Sequence, residues 1–315
     1  MKDFGGVAIG DDFLVDGTRF SKDRVNLITH AHFDHIPKKY QGEAVITTPL
    51  TADLVKHRRE WDLPVNQDTK VTLLDGGHIP GSSMFLIEGK SRVLVTGDFN
   101  TKKSFFSQGA QAVETDILVV ESTYGFPDYV FPDQKTVWGR AKDWIEELIG
   151  KDEKVVLMGY PLGKAQQICN FLDESGFEYL VDEKIGKVNE VLKNHGHSFK
   201  GKKETLLKEE KAPIVVTPVV RKDSPILKGK EDHHRAIFTG WATNPGYKYK
   251  MGVESAFPIS DHCDYPSLIR FIMGCNPEIV YTHHGHDKFL AEEIKHQLDI
   301  EAHPLPKKKG LLKFI

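Results

Sequence analysis

Within the six residues from His30 to His35 the chain carries four metal-competent side chains: His30, His32, Asp34 and His35. Neutral imidazole and carboxylate are the ligand types of zinc and similar divalent ions in catalytic sites. Four such groups on one short loop cannot all converge tetrahedrally on one ion. The spacing H-x-H-x-D-H therefore favours two ions, with His30 and His32 facing one and Asp34 and His35 the other. Residues 25–29 ahead of the loop (V-N-L-I-T) read as a short strand, so the loop opens where a strand ends. The same arrangement recurs. Residues 71–74 lead to His78, 92–96 to Asp98, 116–120 to Glu121, and 278–281 to His283 and His284. A rigid α/β sheet places its chemistry on such loops at strand ends. In this reading His78 completes the first ion and Asp98 bridges both. Ion pairs about 3.5–4 Å apart are a recurring device for phosphoester hydrolysis.

Composition narrows the class. The 315 residues include 15 His, and several of these (His57, His195, His197, His233, His234, His296, His303) sit among polar neighbours as ordinary surface groups. With 42 Lys and Arg against 45 Asp and Glu, the chain is no globally basic nucleic-acid binder, although a local basic groove stays open. The longest apolar stretches, such as 117–120 and 155–158, fall far short of the roughly 20 residues a bilayer span needs. Three Cys without a CxxC pair argue against a disulfide framework. No basic, apolar leader opens the sequence, and a cytoplasmic location with no membrane association is the expectation.

The motif Thr29-His30-Ala31-His32-Phe33-Asp34-His35, with Gly77-His78 and Gly97-Asp98, resembles the signature of the metallo-β-lactamase superfamily. Three further stretches resemble the β-CASP nucleases within it: Glu121-Ser122-Thr123-Tyr124-Gly125, Ser260-Asp261-His262-Cys263-Asp264-Tyr265, and His284-Gly285. Tyr160-Pro161-Leu162-Gly163-Lys164-Ala165-Gln166 is similar to a glycine-containing turn of their cap. A narrower likeness, from the wording of these stretches and the short insertion between Glu121 and His262, is to ligase-associated DNA exonucleases, relatives of the Artemis-type repair nucleases. The resemblance implies an α/β fold: an αββα sandwich with an inserted compact α/β cap. The expected divisions are 1–125 and 257–315 for the metal-binding domain and 126–256 for the cap.

The roles follow the same pattern. The expected metal ligands are His30, His32, Asp34, His35, His78, Asp98 and His284, holding two divalent ions, Zn2+ with Mn2+ as the alternative. Such ions acidify water, so hydroxide is available near neutral pH. Asp34, Glu121 and His262 form the expected catalytic group. His262 would protonate the leaving oxygen, with Glu121 orienting its imidazole. Asp75 reads as a turn residue, while Asp261 and Asp264 either orient His262 or cap the helix after it. Gly163, Lys164 and Ser260 are the candidate substrate contacts, because a strand, a glycine turn and a helix N-terminus can face a phosphate.

Residues 151–250 hold 18 Lys and Arg against 14 Asp and Glu, about +4, leaving about −7 for the remainder. A mildly basic insertion suits a phosphate backbone, although the run 200–211 reads equally as a solvated segment. The favoured function is a DNA exonuclease of repair, with DNA preferred over RNA and a ligase or helicase as partner. An RNA-processing β-CASP nuclease is the alternative. A small-ester or thiolester hydrolase leaves Glu121, His262 and the insertion without a role.

Overall fold

The computed structural model describes residues 6–203, 212–221, 224–228, 230, 232–305 and 311–312. The chain forms two compact units, Met1–Tyr129 with His262–Ile315, and Val130–Asp261. The first opens with β1 (Val7–Ile9), β2 (Phe13–Val15), β3 (Val25–Leu27), β4 (Val45–Ile46) and α1 (Pro49–Arg59). It continues with β5 (Val71–Asp75), β6 (Ser83–Ile87), β7 (Val93–Val95) and β8 (Ile117–Glu121).

The second unit contains α2 (Gln134–Ile149), β9 (Val155–Gly159), α3 (Lys164–Ser175), β10 (Tyr179–Val181) and α4 (Glu183–Asn194). It is completed by β11 (Lys202–Lys203), β12 (Ile214–Pro218), β13 (His234–Phe238), α5 (Tyr247–Met251) and β14 (Ser255–Phe257). The chain then returns to the first unit through α6 (Tyr265–Cys275), β15 (Ile279–His283), α7 (Asp287–Leu298), β16 (Glu301–Pro304) and β17 (Leu311–Leu312).

Two sheets make the first unit, one ordered β17-β1-β2-β3-β4 and the other β16-β15-β8-β7-β6-β5. Side chains alternate across a strand, and that alternation sorts the second sheet. Phe85, Ile87, Val93, Val95, Ile117 and Val119 join Ile9, Phe13, Val15 and Leu27 of the first sheet in one core. Their neighbours Met84, Leu86, Leu94, Leu118 and Val120 face the other way, against Leu268, Phe271 and Ile272 of α6 and Leu290 and Ile294 of α7. These strands are therefore buried on both faces, which is why they read as continuous apolar runs. The architecture is the αββα sandwich that the sequence motifs imply.

The second unit is a sheet ordered β11-β10-β12-β9-β13-β14, and every neighbouring pair in it is parallel. The apolar stripe of α2 (Val137, Ala141, Ile145, Leu148) and that of α3 (Ile168, Cys169, Leu172) pack on one face. Val156, Met158, Leu227, Ile237 and Val253 cluster on the other. This is the compact α/β insertion. Of the basic run 200–211, residues 204–211 lie outside the described residues. No helix among the described residues is long and apolar enough to cross a membrane.

Candidate metal centre

In the first unit the loops at the C-terminal ends of β3, β7, β8 and β15 carry site residues, and His78 follows β5. Gly97 lets two of these loops meet. Its φ is +55°, and a Cβ there would lie 2.7 Å from the Thr29 side chain. A glycine at 97 thus sets Asp98 beside the His30–His35 loop. Gly285 does the same for the last loop, since a Cβ would come within 2.2 Å of the Ser122 carbonyl. His284 before it is also left-handed, at φ +62°. The Ser122 hydroxyl donates to the His283 and His284 carbonyls and pins that turn to the end of β8.

The ligand atoms converge. His30 Nε2 lies 3.1 Å from His32 Nδ1, and His78 Nε2 lies 3.2 Å from the same atom. Asp98 Oδ2 is 3.7 Å from both His30 Nε2 and His78 Nε2. Ligands held 2.0–2.1 Å from a central ion at tetrahedral angles are separated by about 3.3–3.4 Å. The four atoms match that edge length, so these residues fit a divalent cation. His35, Asp98 and His284 form a second group and Asp98, Glu121 and His262 a third, each with ligand atoms within 4.8 Å of one another. Asp98 belongs to all three. Asp34 belongs to none: its side chain is 74% exposed, and its carboxylate stands 3.8 Å from His35 Nε2.

Buried imidazoles crowd one another here. Burial and the neighbouring His35, His32 and His78 hold His30 well below the ordinary histidine pKa. Burial likewise pushes His35 down, but Asp98 and Asp16 outweigh it and raise it well above that value. Burial pushes the Asp98 carboxyl up, yet His35, His262 and His30 prevail and hold it well below the carboxylate range. Burial, then His284 and His35, lower His283 to about 3.

Asp16 was not singled out from the sequence. Its Oδ1 accepts from the Thr29 N–H at 2.8 Å, and its Oδ2 from the Thr29 hydroxyl at 2.6 Å and His35 Nδ1 at 2.7 Å. His30 Nδ1 in turn meets the Thr29 hydroxyl at 3.0 Å. One carboxylate thus sets the tautomers of two imidazoles and turns their Nε2 atoms toward Asp98, as partners of ligating histidines do. The available signal was Phe13-Leu14-Val15-Asp16, another short strand ending in a carboxylate.

Glu121 is 3% exposed. It accepts from His262 Nδ1 at 2.7 Å, from the Phe99 N–H at 3.0 Å and from the Thr123 N–H at 3.3 Å. Three donors fix the carboxylate, which fixes the imidazole. The His262 ring lies 4.5 Å from that of His78. Asp264 caps α6 through the Ser267 N–H and pairs with Lys102 at 3.1 Å. Asp75 closes a turn by accepting from the Gly77 N–H and the Ser107 hydroxyl. The His286 ring packs against Phe126 and Tyr129, each at 5.5 Å.

The expected phosphate contacts in the second unit are arranged differently. Lys164 is 2% exposed; its ammonium donates to Asp261 at 2.7 Å and to Gln167 at 3.0 Å. The Gly163 N–H donates to the Gln166 side chain at 2.8 Å. Ser260 is buried. A buried ammonium needs an opposite charge, and Lys164 meets that need inside its own unit instead of presenting itself to solvent.

No family model matches the chain. A protein named probable DNA ligase from Opitutus terrae is 31% identical over 283 residues, which is 86% of this chain and 28% of that protein. An RNase J-like protein from Methanocaldococcus jannaschii is 25% identical over 90% of this chain and 84% of its own length. This chain thus spans little more than a quarter of the first relative and most of the second. A crystal structure of a protein of unknown function from Enterococcus faecalis superposes with a TM-score of 0.61 at 12% identity, covering 92% of this chain and 82% of the other. That likeness concerns the fold. The motifs, the sandwich and these relatives together are consistent with the metallo-β-lactamase β-CASP nuclease family.

Proposed function

We propose that this chain is a two-metal phosphodiesterase acting on DNA as an exonuclease of repair, with His262 as general acid. The observation that carries this reading is the sharing of Asp98 among three groups of ligand atoms, one of which includes the Glu121–His262 pair. His30, His32, His78 and Asp98 would hold one divalent ion, Zn2+ or Mn2+, and His35, Asp98 and His284 the other, with the exposed Asp34 at the margin. Such ions, when bound, supply Lewis-acid stabilisation of phosphate charge and activation of water.

The chain's own part is proton delivery. Glu121 holds His262 Nδ1, which fixes the ring and leaves Nε2 as the atom that would protonate the departing sugar oxygen. In the net reaction water adds to phosphorus, the bond to that oxygen breaks, and the oxygen leaves protonated. Thr29 and Asp16 keep His30 and His35 in the tautomers the site needs.

The relative named as a probable DNA ligase supports work beside a ligase; a helicase partner and a cytoplasmic location complete the proposal. The RNase J-like relative supports a second reading, an RNA-processing nuclease with the same site. Purified protein incubated with end-labelled single-stranded DNA and with matched RNA, each with and without chelator, decides between them. Metal-dependent shortening of DNA ahead of RNA is expected, and the labelled end that shortens first gives the polarity. Absence of metal-dependent cleavage of either polymer would refute the proposal.

A further inference from the structure

Phe33 stands between His32 and Asp34 in the metal loop, yet its side chain is 51% exposed. Two guanidinium groups lie over it: Arg58 at 3.9 Å and Arg59 at 4.6 Å from the ring centroid. Both come from the last turn of α1, where Lys56, His57, Arg58 and Arg59 are consecutive. Carbonyls at a helix C-terminus favour cations, which accounts for positive charge at this end of α1. It does not account for two guanidiniums drawn onto an exposed aromatic ring beside the metal loop.

The surroundings hold the pair in place, and the exposed Asp34 carboxylate acts on Arg58 without closing a salt bridge to it. Arg59 also lies 5.6 Å from the Trp61 ring, Trp61 stacks on Tyr40 at 5.6 Å, and both pack against the Phe20, Ile28 and Val45 core. Lys56 has Asp62 at 2.6 Å. Among the described residues neither Arg58 nor Arg59 is in a salt bridge. Among the described residues the buried side-chain nitrogens without a hydrogen-bond acceptor are the Nε atoms of Arg58, Arg59 and, in the second unit, Arg235. Two like charges side by side, neither of them in a salt bridge among the described residues, are an arrangement that an anion completes.

The geometry points to Arg58 and Arg59, oriented by Phe33, as a phosphate clamp for the single strand that flanks the bond to be cut. This rests on the nuclease reading of the adjacent centre and adds to it a place where the polymer is held. Arginine presents a planar fork that matches phosphate oxygens and stacks on aromatic faces. Phe33 fixes both planes within one residue of His32 and Asp34, so that a strand gripped here runs past the metal loop. Backbone phosphates are common to DNA and RNA, and the clamp serves either.

The test is fluorescence anisotropy of the full chain with labelled oligothymidylate and oligouridylate, in chelator, across a range of salt. Each phosphate contact on a single strand contributes about 0.7 to the slope of log K against log salt. Arg58→Gln with Arg59→Gln should therefore lower the slope by about 1.4 and weaken binding at least about tenfold at low salt. Phe33→Leu, which keeps an apolar side chain but removes the ring, should weaken binding about two- to fivefold. If the double variant melts below wild type, Arg58→Lys with Arg59→Lys keeps the helix-end charge and loses the planar stack. A threefold or greater loss of affinity in that variant supports the clamp. Wild type that binds and cleaves, beside variants with unchanged affinity and slope, overturns the clamp alone. Wild type that neither binds nor cleaves either polymer overturns the nuclease reading and the clamp with it.

Discussion

The loops after β3 and β7 in the first unit and the turn before α3 in the second are built alike. Each follows a buried or mostly buried strand and brings charged or ionisable side chains out of solvent, and the last two contain a glycine with positive φ (Gly97 and Gly163). Their electrostatics are opposite. At the turn of the second unit Lys164 meets Asp261 and the Gly163 N–H meets Gln166. In the first, like meets like: His30, His32 and His78 point ring nitrogens at one another 3.1–3.2 Å apart around a single carboxylate. A self-satisfied arrangement is architecture. Imidazoles converging around one carboxylate fit a cation from outside.

Four substitutions can break or sharpen this contrast, in descending order of effect. Asp98→Ala removes the carboxylate shared by three groups. It should lower metal content measured by inductively coupled plasma spectrometry and depress cleavage by more than about a hundredfold. A fully loaded variant would contradict the shared role. His262→Ala should cut turnover about 10²–10⁴-fold while both metals stay bound. Loss of a metal instead would move His262 from proton donor to ligand, as its grouping with Asp98 and Glu121 permits.

Lys164→Met leaves the Asp261 charge buried, and a broken buried pair costs about 3–5 kcal/mol, read by denaturant unfolding. Adding Asp261→Asn should recover part of that loss. If Lys164→Met left stability intact and weakened only nucleic-acid binding, the second region would be a ligand site after all. Asp16→Asn keeps the shape of the side chain but weakens its grip on His35 and Thr29. Metal affinity should fall about 10–100-fold in a chelator competition, and an unchanged affinity would reduce Asp16 to a packing residue.

Much of the fold was legible because its code is local. Val137, Ala141, Ile145 and Leu148 recur at helical spacing, and all four are buried on one face of α2. The short β-branched runs before His78, Asp98 and Glu121 are strands β5, β7 and β8. Asp16 carries only the weak local signal of a short strand ending in a carboxylate, for the opposite reason. It follows a three-residue strand and reads as a turn, and it matters only through Thr29 and His35, 13 and 19 residues away. Lys164 at the start of α3 looked like a phosphate contact because residue type does not say which way a lysine turns. Its partner, Asp261, lies 97 residues on.

The sequence by itself determined which side chains are competent for metal or proton chemistry and that they stand at strand ends, since residue type and period-two patterning are written within a few positions. Only the tertiary structure decided which of them meet. The pairing of β8 with β15 sets His283 opposite Glu121 across 162 residues and brings His284 to the edge where His35 lies. Strand register, not sequence spacing, fixes the few ångströms on which coordination depends, and register is a property of the packed sheet.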